Sequence, residues 1–111
     1  MRMLVTALIG LTFAAVSVPA QSALWSSKTI AKLQPDHLTD QCYFFSLDGV
    51  AEADPVRSGS PWFAVDRNNH PGAKELYATL LTARLTGTPV TVLTTGSMVC
   101  GYATISYVVL Q

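Results

Sequence analysis

Apolar and polar residues alternate with two different periods along this chain, and the change of period locates its elements. From Ala73 the apolar positions are Ala73, Leu76, Tyr77, Leu80, Leu81 and Leu85, the spacing of one buried helical face. Glu75, Thr79 and Thr82 lie off that stripe. Pro71 suits a first helical position, and Asn68, Asn69 and His70 are candidate caps. Gly87 is a left-handed stop and Pro89 bars continuation, so the pattern predicts a helix over 72–86.

Elsewhere the pattern is that of strands and turns. Gln41 to Leu47 is aromatic-rich and ends at the turn signal Asp48-Gly49. Val50 to Pro61, with Pro55, Gly59 and Pro61, is expected to be a loop, and Trp62 to Val65 a short strand. Pro89 to Thr95 and Ala103 to Leu110 are two late strands, with turns expected at Gly96-Ser97 and Gly101. Strict alternation along the last strand puts Ile105, Tyr107 and Val109 on one face. An earlier strand covers Trp25 to Leu33. The expected fold is therefore mainly β with one helix: a five-stranded Greek-key barrel of OB type, the helix between strands 3 and 4.

The first residues follow neither period. Met1-Arg2-Met3 is a short positive start, Leu4 to Val18 is apolar, and Val18-Pro19-Ala20 has the small-x-small form of a cleavage site. The expectation is a signal peptide over 1–20, a single domain over 21–111 starting at Gln21, and no membrane span after cleavage. The apolar run is short for a spanning helix and closes at Pro19. Export predicts a secreted or periplasmic protein and an oxidising compartment. There the two cysteines, Cys42 and Cys100, are expected to form a disulfide. Such a bridge is worth about 4 kcal/mol. Two buried free thiols are the alternative, and the spacing fits no zinc pattern.

Charge narrows the partners. The chain carries seven basic and seven acidic residues, scattered, so it has no electrostatic footprint for nucleic acid. His37 and His70 lie in turn-like polar settings, and no nucleophile elbow or phosphate loop is present. Neither catalytic nor metal-ligating residues are assigned, no cofactor is expected, and the protein is not expected to be an enzyme. The aromatics are the better binding candidates. Of Tyr43, Phe44 and Phe45, at least one must point outward. Trp25 and Tyr102 lie near strand ends, where an aromatic can stack on a sugar or anchor a protein. Trp62 is expected in the core.

Trp62, Lys74-Glu75-Leu76-Tyr77, Leu80 to Ala83, Thr86-Gly87-Thr88-Pro89-Val90-Thr91-Val92 and Tyr43-Phe44 together resemble the subtilase-cytotoxin B-subunit group. In that group a helix ends in Thr-Gly-x-Pro-Val and feeds directly into a strand. Small exported bacterial proteins with the same block pair a cysteine on the second strand with one after the Pro-Val strand, as Cys42 and Cys100 would here. The resemblance implies an OB-type fold and, in the toxins, a homo-oligomeric ring of five subunits that binds cell-surface glycans. Ser26 stands near the position of a pocket serine, which makes Ser26, Trp25 and Tyr102 the candidate ligand residues. The toxins' aromatic-rich segment after the Pro-Val strand is here Leu93-Thr94-Thr95-Gly96-Ser97-Met98, without an aromatic. The expected function is a non-enzymatic exported binding module with a glycan or protein ligand. The alternative is a secreted inhibitor or envelope protein-interaction module acting through the 50–61 loop.

Overall fold

The computed structural model describes residues 22–35, 41–57 and 59–111. The expected signal peptide and start at Gln21 lie outside the described residues, as do Asp36, His37, Asp40 and Ser58. In chain order the elements are β1 (Leu24–Lys28), β2 (Ile30–Pro35), β3 (Cys42–Leu47), β4 (Phe63–Asp66), α1 (Ala73–Thr86), β5 (Val90–Val99) and β6 (Tyr102–Leu110). They form one mixed six-stranded sheet in the order β1-β5-β6-β4-β3-β2. All neighbours are antiparallel except β4 and β6.

The strand count is six, not five, the helix lies between strands 4 and 5, not 3 and 4, and the sheet is not closed into the expected barrel, because its end strands β1 and β2 do not pair with each other. The stretch expected as one strand over Trp25 to Leu33 breaks at Thr29 because its two halves pair with different partners. Lys28 stands opposite Val90 on β5, while Ile30 stands opposite Leu47 on β3. The bend falls beside Ser27, whose φ of 54° is left-handed. Thr29 is tied to the next turn: its carbonyl accepts from the Asp48 N–H and its hydroxyl donates to the Asp48 carboxylate.

The helix ends as its sequence requires. Gly87 is left-handed at φ 69°, a conformation that costs glycine nothing, and the N–H groups of Gly87 and Thr88 both donate to Ala83 O. Its start is later than Pro71, and no side chain caps it at Gly72. The buried face is Ala73, Leu76, Leu80 and Ala83, with Tyr77 half-buried. Leu81 and Leu85, counted in the stripe by spacing, are exposed; Leu85 is 77% exposed. At about 100° per residue the four buried positions share one narrow stripe, and Leu81 and Leu85 lie more than about 100° round the helix from its centre, on the solvent side.

The hairpin β5–β6 also departs from expectation. Gly96-Ser97 is a bulge within β5: Thr94 faces Ile105 and Met98 faces Ala103, so β5 has spare residues there. The turn is Cys100-Gly101, with φ of 54° and 82°, the left-handed pair that a tight hairpin needs. A second shift, between Leu93 opposite Tyr107 and Thr94 opposite Ile105, leaves Ser106 as an extra residue on β6. Ile105 consequently faces the core and is fully buried, while Tyr107 and Val109 are exposed. The single shared face expected for Ile105, Tyr107 and Val109 is thus broken at Ser106. The core proper joins Phe45, Phe63, Val65, Leu80, Val90, Val92 and Ile105, with the Phe45 and Phe63 rings stacked 5.0 Å apart.

Candidate functional site

Two features of the outer sheet surface and one cleft are candidates. The first feature is the corner stapled by the disulfide. Cys42 and Cys100 are bonded, with 6.7 Å between their Cα atoms, and join the start of β3 to the β5–β6 turn. Two residues further along each strand, Phe44 meets Tyr102 edge-on, with ring centroids 5.3 Å apart. Cys42 is fully buried, as is Ala64, which stands opposite Phe44. On the other face of β3, Tyr43 stacks on Tyr77 of α1 at 4.4 Å and carries the Arg67 guanidinium 4.9 Å above its ring. Of the three consecutive aromatics, Phe45 is therefore core and Phe44 is the outward one.

The candidate ligand residues Ser26, Trp25 and Tyr102 are not brought together. Trp25 stands opposite Val92, which in turn stands opposite Val108, whereas Tyr102 stands opposite Val99 near the turn. Six residues of β6 separate the two places, about 20 Å of strand. Trp25 is half-buried against the core, and its indole N–H donates to Ala53 O at 2.8 Å. Tyr102 is half-buried against Phe44, and Ser26 is exposed. Trp62 is half-buried.

The second feature is the outer face of β1–β5–β6. Leu24 stands opposite Leu93, and Leu93 opposite Tyr107, so these three make one row across the strands. Thr91 and Val109 form the next row. Leu24, Tyr107 and Val109 are 57%, 44% and 47% exposed. At the end of this face Ser27 Oγ donates to Gln111 Oε1, and Gln111 Nε2 donates to Thr91 Oγ1.

The cleft has a volume of about 290 Å³ and lies where β4 ends, beside the two bulges of the β5–β6 hairpin. Its lining includes Asp66, Asn69, His70, Thr95, Thr104 and Ser106. Asp66 organises the turn into α1: Oδ1 accepts from the N–H groups of Asn68 and Asn69, and Oδ2 from the Asn69 side-chain amide at 2.9 Å. Chiefly through that Asn69 bond, the Asp66 carboxyl is held below its ordinary pKa of 3.8; burial opposes this, and the backbone bonds assist it. His70 bridges to β6, its Nε2 lying 3.0 Å from Ser106 O, while its Nδ1 accepts from the Gly72 N–H at 3.3 Å. The Thr104 hydroxyl oxygen is buried with no hydrogen-bond partner among the described residues. Asn69 and His70 are visible in the sequence only as caps. The cleft itself depends on bulges at Gly96 and Ser106 that alternation does not reveal.

Among the described residues, no group of three or more His, Cys, Asp or Glu is placed to hold a metal. None of their helices is long and apolar enough to cross a membrane. No family model and no curated protein matches this chain.

Proposed function

We propose that the chain is an exported, non-enzymatic binding module of OB type, similar in plan to toxin B subunits, that assembles through the outer face of β1–β5–β6. The single observation that carries this is the row Leu24, Leu93 and Tyr107, with Val109 beside it, on a face that no element of the described chain covers. A contiguous apolar patch on a small protein is a site of association. The plan is supported by the position of the bend. β1 and β2 are consecutive in the chain but stand at opposite ends of the strand order. Taken as one bent strand, Leu24 to Pro35 borders both the second and the fourth of five strands, with α1 between the third and fourth. Export rests on Met1 to Ala20, and the disulfide agrees with a secreted or periplasmic location. A glycan ligand rests on the resemblance and on exposed Ser26.

Light scattering of the mature protein at micromolar concentration tests the assembly. The expected result is a closed homo-oligomer that Tyr107→Asp converts to monomers; a wild-type monomer removes the assembly. A glycan array then tests sugar binding separately.

The alternative, an inhibitor or protein-interaction module, is favoured by the hydrogen bonds made by Ala53, Asp54 and Arg57. Buried Asp54 accepts from the Val56 N–H at 3.2 Å and pairs with Arg57 at 3.3 Å, and Ala53 N–H donates to Ser60 O. Val56, between Asp54 and Arg57, is exposed. A monomer with a blank glycan array would make this the better reading.

A further inference from the structure

The cleft beside the 66–71 turn has hydrogen-bond acceptors to spare and no free donor of matching charge. Asp66 Oδ2 accepts one bond, and a carboxylate offers about four acceptor positions in all. Asn69 gives its amide N–H to Asp66, which leaves its carbonyl oxygen as an acceptor. Because His70 Nδ1 accepts from Gly72, the ring proton lies on Nε2 and donates to Ser106 O. Thr95 donates to Thr104 O or shares a proton with Ser97. Among the described residues no lysine or arginine lines the cleft, while Pro71 and Ile105 give it apolar walls. The Glu75 carboxylate lies close to Gly72, so a second negative charge stands near the turn.

We infer that this cleft is a recognition site for a primary ammonium group on a short aliphatic chain, the chemistry of a lysine side chain or a simple alkylamine. An ammonium brings three N–H donors and a positive charge to the Asp66 carboxylate. Asp66 Oδ2 and the Asn69 carbonyl receive two of them. The third is assigned to the hydroxyl of Thr104, a residue that lines the cleft. That contact relieves a buried polar atom that is otherwise unsatisfied. The alkyl chain packs between Pro71 and Ile105. The volume, about 290 Å³, is at the small end for ligand sites and suits one side chain. An anion meets the Asp66 charge and is excluded. A neutral polyol brings no charge to Asp66. The site is independent of the outer sheet face and of any assembly through it.

Titration of the mature protein with n-butylammonium chloride, followed by amide NMR shifts, tests the inference. Saturable shifts are expected at Asn69, Thr95, Thr104 and Ser106, with none from tetramethylammonium, which has the charge but no N–H donor, and none from glucose. Asp66→Asn should weaken binding about tenfold, the worth of one charge-assisted bond. Thr104→Val keeps the shape and removes only an unsatisfied hydroxyl, so it should fold normally and bind about threefold more weakly. The site is overturned if butylammonium gives no saturable shifts, if tetramethylammonium or glucose gives the same ones, or if Thr104→Val binds as the wild type does.

Discussion

The outer surface of the sheet has two halves that treat apolar side chains in opposite ways. On β3–β4–β6 the outward residues are closed over by their own neighbours: Cys42 is bonded to Cys100, Phe44 packs edge-on against Tyr102, and Ala64 between their strands is fully buried. On β1–β5–β6 the outward residues Leu24, Tyr107 and Val109 have no such cover. Both halves share β6, so composition alone does not separate them. The difference is that one half is cross-linked at the hairpin turn and the other ends at an edge, β1, that pairs on one side only. A small domain can thus complete one face internally and leave the second to a partner.

Breaking the covered half should have the largest effect. The Cys42–Cys100 bridge closes a sequence separation of 58, and replacing both cysteines by alanine should cost about 4 kcal/mol. Urea unfolding with and without reductant measures this directly. Peptide mapping should recover one cross-linked pair. A midpoint indifferent to reduction would mean that the Phe44–Tyr102 contact alone holds the corner.

The uncovered half is sharpened by two substitutions on one strand. Ile105→Ala should cost about 3 kcal/mol, within the range for a fully buried aliphatic side chain. Tyr107→Ala, only two residues on, should cost the monomer less than about 0.5 kcal/mol. Strict alternation predicts equal burial for these positions. The extra residue Ser106 makes them unequal, so similar losses at both would remove the bulge. Leu80→Ala and Leu81→Ala form the matching pair on α1, since Leu80 is fully buried and Leu81 is exposed.

These pairs also show which parts of the fold were legible in the sequence. The helix was, because its period is carried by six apolar positions and its end by Gly87 and Pro89. The disulfide was, because two cysteines in a chain expected to be exported leave few choices. The break at Thr29 was not, since it follows from the exchange of partner between β5 and β3, a tertiary event with no local mark beyond an ordinary Ser-Lys-Thr run. The bulges at Gly96 and Ser106 were not, because alternation counts residues and cannot see one that is skipped. The cleft was missed for the same reason: Thr95, Thr104 and Ser106 converge on His70 only after both bulges have shifted the register. Trp25 and Tyr102 were singled out as aromatics near strand ends, but pairing separates them.

A smaller effect concerns how firmly the covered half is closed. Phe44 and Tyr102 make an edge-to-face pair, a geometry worth about 0.5–1.5 kcal/mol beyond the area it buries. A double-mutant cycle with Phe44→Leu and Tyr102→Leu should recover a coupling in that range. A coupling near zero would leave the disulfide as the only tie across the corner and would sharpen the contrast with the open face.

The smallest expected effect lies at the turn that leads from the covered half into the helix. Asp66 accepts three hydrogen bonds from Asn68 and Asn69, and its pKa is lowered in the folded state, chiefly by the Asn69 side chain. A carboxyl with a depressed folded pKa stabilises the fold above its unfolded value, near pH 4, and that stability is lost as pH falls through the folded value. The group is partly exposed, so water screens it and the contribution is below about 1 kcal/mol. Asp66→Asn should therefore be slightly less stable than wild type at pH 7, and the difference should vanish as acidification passes through the lowered folded pKa of Asp66. Paired urea titrations across that window measure it. A difference that persists unchanged at low pH would mean that the turn depends on the shape of the side chain and not on its charge.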